Sequence, residues 1–522
     1  MEQGRGGVDI AGSWGGGRLV ACEPDVAMRG FWMRRFGMRV VVAAVVAAMG
    51  VGVCAAQSKG VVGAKAADNV NVMMLSDIHF DPFHDPAKVA QLITTPASGW
   101  DAVLAEPSAT QAADFAALQN SCHAKGVDTP YVLLKSSLKA ERDVEPKPLF
   151  VTVSGDLMAH QFDCKFKALA PKASEAEYSA FAAKTVEFVA LQLRQTFVGV
   201  PVYLALGNND SGCKDYAEDE NSAYLQADAK SFAGDALDKK NGAAIASEFS
   251  SLGDYSIVLP SPMQHARLIV LQDIFESKKF TNCAGKSDES SAAAQIAWLH
   301  TQLAAAKAAH EHVWVMAHIP PGIDAYATFS KGANVCSGAA PVMFLGSTQL
   351  VDTLTEFAGT VSLGLFGHTH MDEMKLFHAS AGDGVVAVKL VPSITPVNGN
   401  NPAFTVAQVD PRTATLVDYS VYAASNKTGV GTTWAEEYRY STTYGLPDYS
   451  VASVKTLMAE FLADKAGASD VSHAYQNFYF VGDPGVSANL KAAAMRLVWP
   501  GYACSMTESG EDGFRACVCP AK

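Results

Sequence analysis

The stretch VYLALGNND, Val202–Asp210, runs from an apolar segment straight into a glycine, two asparagines and an aspartate. Its first part reads as a buried strand, because four to seven apolar residues bounded by Gly, Asp and Asn have the length and edges of one. Its second part is a turn, where short polar side chains bond to their own backbone and tolerate tight geometry. One asparagine would serve that turn. The second acquires a meaning only from what other segments bring to the same place.

Four more segments repeat the pattern of an apolar run ending on a polar donor: NVNVMMLSD to Asp77, LFVTVSGD to Asp156, HVWVMAH to His318 and VSLGLFGHTH to His370. Between them lie Ala-rich stretches with helical spacing; in AAAQIAWLHTQLAAAKAAHEH, Ile296, Leu299 and Leu303 share one face, with Gln302 and Lys307 off it. Strand and helix in alternation predict an α/β fold of layers with mixed sheets. VVAVKLV, AFTVAQVD and LVDYSVY follow one another without helices, which predicts an antiparallel edge. After residue 425 the texture changes: WAEEYRYSTTYGLPDYSVASVKTLMAEFLADK reads as helical, and YACSMTESGEDGFRACVC is a cysteine-bearing tail. The expected organisation is an N-terminal extension with a secretory signal over 1–56, a catalytic domain over 66–425 and a helical, disulfide-stapled appendage over 426–522.

With 522 residues, 49% of them apolar, the chain can bury a substantial core. Its 40 basic and 53 acidic residues include no long basic run, so no nucleic-acid partner is expected. Arg29, Arg34, Arg35 and Arg39 precede the apolar Val40–Val53 and then the small residues of CAAQ, the three regions of an export signal, with cleavage expected after Ala55 or Ala56. About fourteen apolar residues fall short of the roughly 20 a spanning helix needs, so no stable membrane anchor is expected and the mature chain is placed outside the cytoplasm, secreted or periplasmic. Cys122, Cys164, Cys213, Cys283, Cys336, Cys504, Cys517 and Cys519 are even in number and read as disulfides of unspecified pairing.

The chemistry sits where the strands stop, as ligands do in open α/β sheets. Those ends carry Asp77, His79, Asp156, Asn208, His318, His368 and His370, all oxygen or imidazole donors without a thiolate, which suits zinc, manganese or iron. Seven donors exceed one ion's needs. With Asp156 as a bridge they divide into Asp77, His79, Asp156 and His370 around one ion and Asp156, Asn208, His318 and His368 around another. Two ions about 3.5–4 Å apart can clamp a phosphate through its displacement.

SDIHFD, SGDLMAH, LGNND, AHIPPG and FGHTHMDE together resemble the calcineurin-like metallophosphoesterases, and within them the acid sphingomyelinase and acid sphingomyelinase-like phosphodiesterase branch. The VPSITPVNGNNPAFTVAQVD segment and a C-terminal region with WAEEY and paired cysteines extend the likeness over roughly residues 70 to 520. The resemblance implies an αββα sandwich of two mixed sheets flanked by helices, two divalent ions that are most often zinc, and cleavage of phosphodiester or pyrophosphate bonds by a metal-bound hydroxide. It also implies that His160 of SGDLMAH protonates the leaving group. Two departures stand out. Asn209 occupies the place of a usual second histidine, at the substrate side or closing the turn, and no saposin-like segment precedes Val70, which favours a small soluble diester or nucleotide over membrane sphingomyelin. Ala159 stands where a purple acid phosphatase would carry tyrosine. Asp81 and Asp372 are placed either to hold metal-binding histidines or to serve as surface or turn carboxylates. A phosphomonoesterase or nucleotidase on the same centre, and a non-catalytic secreted binding protein, are the alternatives.

Overall fold

A computed structural model describes residues 68–519 apart from 288, 331, 333, 381, 425–432 and 482–485; the segment read as an export signal lies outside these residues. The five donor-bearing runs are strands or end in them. β1 (Val70–Leu75), β2 (Val151–Ser154) and β3 (Val202–Ala205) lie side by side and parallel. The next strands build a second sheet: β4 (Tyr255–Val258), β5 (Ala266–Val270), β6 (His312–Met316), β7 (Val361–Phe366), β8 (Glu373–His378) and β9 (Val385–Leu390). Its order is β4-β5-β6-β7-β9-β8, parallel at the centre and antiparallel at both edges. The chain then returns to the first sheet with β10 (Ala403–Asp410), β11 (Thr415–Ala424) and β12 (Trp434–Arg439), giving the order β12-β11-β10-β1-β2-β3.

The two sheets pack face to face, and the alternation of side chains shows how. Leu268, Val270, Trp314 and Met316 point into the core shared with the first sheet, while Ile269, Val313 and Val315 point the other way. That outer face is covered by the helices Ser290–Ala308 and Gln349–Glu356 through Leu299, Leu303, Leu350 and Leu354. The Tyr255 hydroxyl donates to Leu204 O at 2.9 Å and the Trp314 indole to Ala414 O at 2.7 Å, so the polar tips of two buried aromatics tie the sheets together. The helix Glu175–Thr196, opened by a capping box between Ser174 and Glu177, covers the first sheet with Val186, Val189 and Leu193. The result is the expected αββα sandwich.

Two local readings change. VVAVKLV does not join the antiparallel edge that AFTVAQVD and LVDYSVY form: it lies in the second sheet, where β9 pairs antiparallel with β8 and inserts beside β7 in parallel. The stretch read as helical from Trp434 begins with a strand, β12, which pairs antiparallel with β11. Its charged residues resemble a helix surface in sequence, yet on a sheet edge a charged side chain such as the exposed Glu436 guards unpaired backbone. Beyond it the helices Val451–Ala463, Asp470–Phe478 and Trp499–Ser505 follow as expected, and Phe461, Tyr475 and Trp499 join the same buried cluster as Phe404 and Tyr419 of the first sheet.

The eight cysteines pair as Cys122–Cys164, Cys213–Cys283, Cys336–Cys519 and Cys504–Cys517. The third bond joins the C-terminal tail to the chain that follows His318. No helix among the described residues is long and apolar enough to cross a membrane.

Candidate metal centre

The C-terminal ends of β1, β2, β3, β6 and β7 meet at one rim of the sandwich, and the turns there leave ordinary strand geometry. Asp77 (φ 46°), His79 (φ 46°), Asp156 (φ 54°), His368 (φ 71°) and His370 (φ 67°) all occupy the left-handed region that non-glycine residues seldom adopt. Such strain persists only where the surroundings over-determine it. Here Asp77 N donates to Gly155 O at 3.0 Å and His79 N to Asp156 O at 2.9 Å. The Asp210 carboxylate binds the turns after β2 and β3 together, accepting from Gly207 N (2.9 Å), Leu157 N (2.8 Å) and Met158 N (2.9 Å). Burial, with Asp156 nearby, pushes its pKa up to about 7 against those N–H donors. Gly207 is required by contact, since a Cβ there would collide with Asp156 Oδ1.

Six of the seven expected donors converge on one another. His318 Nε2 lies 3.1 Å and His79 Nε2 3.3 Å from Asp156 Oδ2, while His370 Nε2 lies 3.4 Å and His79 Nε2 3.8 Å from Asp77 Oδ1. His368 Nδ1 is 3.3 Å from His318 Nε2. Donors bound to one ion at about 2.1 Å in a tetrahedral site stand about 3.4 Å apart, so this spacing fits ligation. Asp156 belongs both to a group with Asp77 and His79 and to a group with His318 and His368.

The neighbours orient these donors. His79 Nδ1 bonds to Met158 O and His318 Nδ1 to Ser154 O, each at 2.8 Å, which makes Nδ1 the protonated nitrogen and turns the Nε2 lone pair inward. Asn208 Nδ2 donates to Asp215 Oδ1 at 2.8 Å, leaving its buried Oδ1 without a partner; His79 Nε2 and His370 Nδ1 are likewise buried and without a hydrogen bond. The Asn208 oxygen and His79 Nε2, orphaned acceptors gathered with two carboxylates, fit cations. Burial opposes charged imidazoles, yet Asp156 above all holds His79 up to about 9 and His318 up to about 10. Burial lowers His370 to about 3 and, with His318, lowers His368 to about 3. The carboxylates thus draw positive charge onto two rings whose protons a metal would displace.

His160 stacks on His79 with ring centroids 4.1 Å apart, its side chain 27% exposed. Asp128 grips it twice, Oδ1 accepting from Nδ1 at 2.8 Å and Oδ2 from the backbone N–H at 2.9 Å. Burial would raise the Asp128 carboxyl, but His160, His79 and Lys165 hold it well below the usual carboxylate range. Sequence reasoning missed Asp128, because GVDTP ends no apolar run and lies far from SGDLMAH. It also missed Asp215, for the same reason, and Asp273, whose carboxylate accepts from His318 N (3.3 Å) and Ile319 N (3.0 Å). Asp273 was legible in principle, since ARLIVLQD ends an apolar run as the donor segments do.

Three residues with open readings are placed by their partners. Asn209 is turned inward, 6% exposed, with its backbone N–H on Asp156 Oδ1 and its side-chain amide on Asp156 Oδ2, both at 2.8 Å. The side-chain amide is thus engaged with Asp156. Asp81 pairs with the buried Lys165 at 2.8 Å and accepts from Phe83 N at 2.9 Å. Asp372 pairs with the buried Lys389 and accepts from the Tyr438 hydroxyl at 2.6 Å. Neither touches a histidine of the centre: a buried lysine needs a counter-charge, and backbone carbonyls orient the rings.

The profile of the calcineurin-like phosphoesterases matches residues 70–372, the span that holds all of these donors. The chain belongs to that family. As a calcineurin-like phosphoesterase it is a metal-dependent phosphoester hydrolase of a family that uses a dinuclear metal centre. It is 26% identical to the acid sphingomyelinase-like phosphodiesterase 3b of Homo sapiens over 85% of this chain and 89% of that protein. It is 23% identical to the cyclic GMP-AMP phosphodiesterase SMPDL3A of Mus musculus over 68% of this chain and 74% of that protein. Among solved structures, a dimetal phosphatase from Danio rerio aligns with 68% of this chain and 96% of its own at 13% identity and a TM-score of 0.36.

Proposed function

We propose that the protein is an extracytoplasmic phosphodiesterase that holds two zinc ions and cleaves phosphodiester or pyrophosphate bonds of small substrates. The observation that carries this reading is the pair of buried donor groups sharing Asp156, together with the buried Asn208 amide oxygen that has no hydrogen bond. Asp77, His79, Asp156 and His370 would hold one ion, and Asp156, Asn208, His318 and His368 the other. The neutral Asn208 limits the negative charge of the set. When bound, such ions supply Lewis acidity toward phosphoryl oxygens and a water that is nucleophilic near neutral pH.

The remaining steps belong to side chains. His160, tied to Asp128 through Nδ1, presents Nε2 for proton donation to the departing oxygen. Asn209 and Asp210 keep Asp156 and its turn in place. Phosphodiesterase names among the relatives support a diester over a monoester substrate. Four disulfides and the signal-like N-terminal segment support export. The test is elemental analysis of purified protein together with steady-state kinetics on bis(4-nitrophenyl) phosphate and 4-nitrophenyl phosphate. Two zinc ions per chain and a higher kcat/KM for the diester are expected. Protein free of metal, or one faster on the monoester, would overturn the proposal.

A further inference from the structure

A cavity of about 580 Å³ opens beside His368 and Thr369 and runs under the C-terminal helices. Its wall is chiefly aromatic and aliphatic, including Phe344, Tyr479, Phe480, Met495 and Tyr502. Phe344 sets its ring edge-on to His368, with centroids 5.8 Å apart, so the apolar wall begins at the metal centre itself. At the mouth, Tyr326 is 68% and Leu497 86% exposed, unusual for large apolar side chains that line one opening. The carboxylates in the wall already have protein partners: Asp324 accepts from Ala327 N at 2.7 Å and Glu373 from the Tyr479 hydroxyl at 3.3 Å. The face offered to a ligand is therefore apolar.

The cavity's place fixes which part of a substrate it can take. His160 stands with His79 and His370 at one end of the centre, whereas His368, at the cavity, stands with Asp156 and His318 at the other. The alcohol that accepts the proton of His160 leaves at the first end. A group lying at the second end stays on phosphorus. Resting on the phosphodiesterase reading, we propose that the cavity receives the substituent retained on phosphorus and that this substituent is apolar, so the product is an apolar phosphomonoester. The step balances as a hydrolysis: a water oxygen bonds to phosphorus, the bond to the departing oxygen breaks, and one water yields one alcohol and one monoester. Half of the wall lies beyond the residues that match the family profile, so the C-terminal region shares in setting this selectivity.

The experiment keeps the leaving group constant. With 4-nitrophenol departing from both, benzyl 4-nitrophenyl phosphate should exceed methyl 4-nitrophenyl phosphate in kcat/KM by at least ~10-fold, since hydrophobic pockets discriminate by 10–200-fold per group. Benzyl phosphate should bind the metal-loaded protein more tightly than methyl phosphate in calorimetry, a readout independent of turnover. Tyr326→Ser and Leu497→Ser alter exposed side chains, so the fold survives, and each should reduce the benzyl-to-methyl ratio by ~3-fold or more. Equal kcat/KM for the two diesters, or a ratio unmoved by both substitutions, overturns the cavity assignment while leaving the phosphodiesterase intact. A preference that follows the departing alcohol in place of the retained group also overturns it. Hydrolysis of neither diester removes the phosphodiesterase reading and this inference with it.

Discussion

Replacing His160 with alanine separates proton donation from every other duty at the centre. Its Nδ1 is occupied by Asp128 at 2.8 Å, so Nε2 is the nitrogen left to serve a leaving group, and Asn209, turned onto Asp156, supplies no second donor. A lone general acid is worth ~10²–10⁴-fold, or about 3–5 kcal/mol of barrier at 1.36 kcal/mol per tenfold. That loss should appear in full for basic alkyl alcohols and shrink to less than ~10-fold for 4-nitrophenol, which departs as a stable anion. The assay is a series of diesters sharing one retained group, with leaving-group acidity varied from nitrophenol to simple alcohols. The slope of log kcat/KM against leaving-group pKa should steepen in His160→Ala. Asp128→Asn keeps the shape while removing the charge that orients the ring, and should give an intermediate slope. Because His160 also stacks on His79 at 4.1 Å, metal content is measured alongside. Equal losses across the series with two metals bound would refute proton donation and leave His160 a packing partner of His79.

Asp156→Asn should bring metal content below two ions per chain and abolish most activity, because a neutral amide bridges two cations poorly; full occupancy with near-normal turnover would show that Asp156 is not the bridge. Glu141, buried in the helix Tyr131–Val144, has its pKa pushed from 4.5 to about 8 by burial. The folded state therefore holds its proton more tightly than the unfolded chain, so its stabilising contribution is complete below about pH 4.5 and is lost as pH rises toward 8. The loss is at most ~5 kcal/mol at ~1.4 kcal/mol per pH unit. Glu141→Gln should flatten thermal stability against pH between 5 and 8, and a curve parallel to the parent would contradict this. The exported chain should begin close to residue 56 or 57 by mass spectrometry and show few free thiols before reduction; retention of Val40–Val53 in a membrane pellet would favour an anchor.

The donors of the centre were legible in the chain because each lies directly after a buried strand, where apolar run and polar end are contiguous in sequence. Local patterning likewise determined the mixed-sheet α/β class, the helix over Leu299 and Leu303, and the even set of cysteines that pair as disulfides. What tertiary structure alone decided involves partners distant along the chain. Asp128 meets His160 through a loop that carries no periodic signal, and Asp215 orients Asn208 from a loop equally silent. Asp81 and Asp372 could support neighbouring histidines or serve as surface or turn carboxylates on sequence grounds, and only the fold supplies Lys165 and Lys389 as their counter-charges. Asn209 could face outward or inward on sequence grounds, and the closeness of the β2 and β3 turns, permitted by Gly207, settled it on Asp156. The edge strand β12 passed for helix because its pairing partner, not its own pattern, makes it a strand. The cavity beside His368 exists only where the C-terminal helices close over the rim, since a volume enclosed by residues from 323 to 505 has no signature in any single stretch of them.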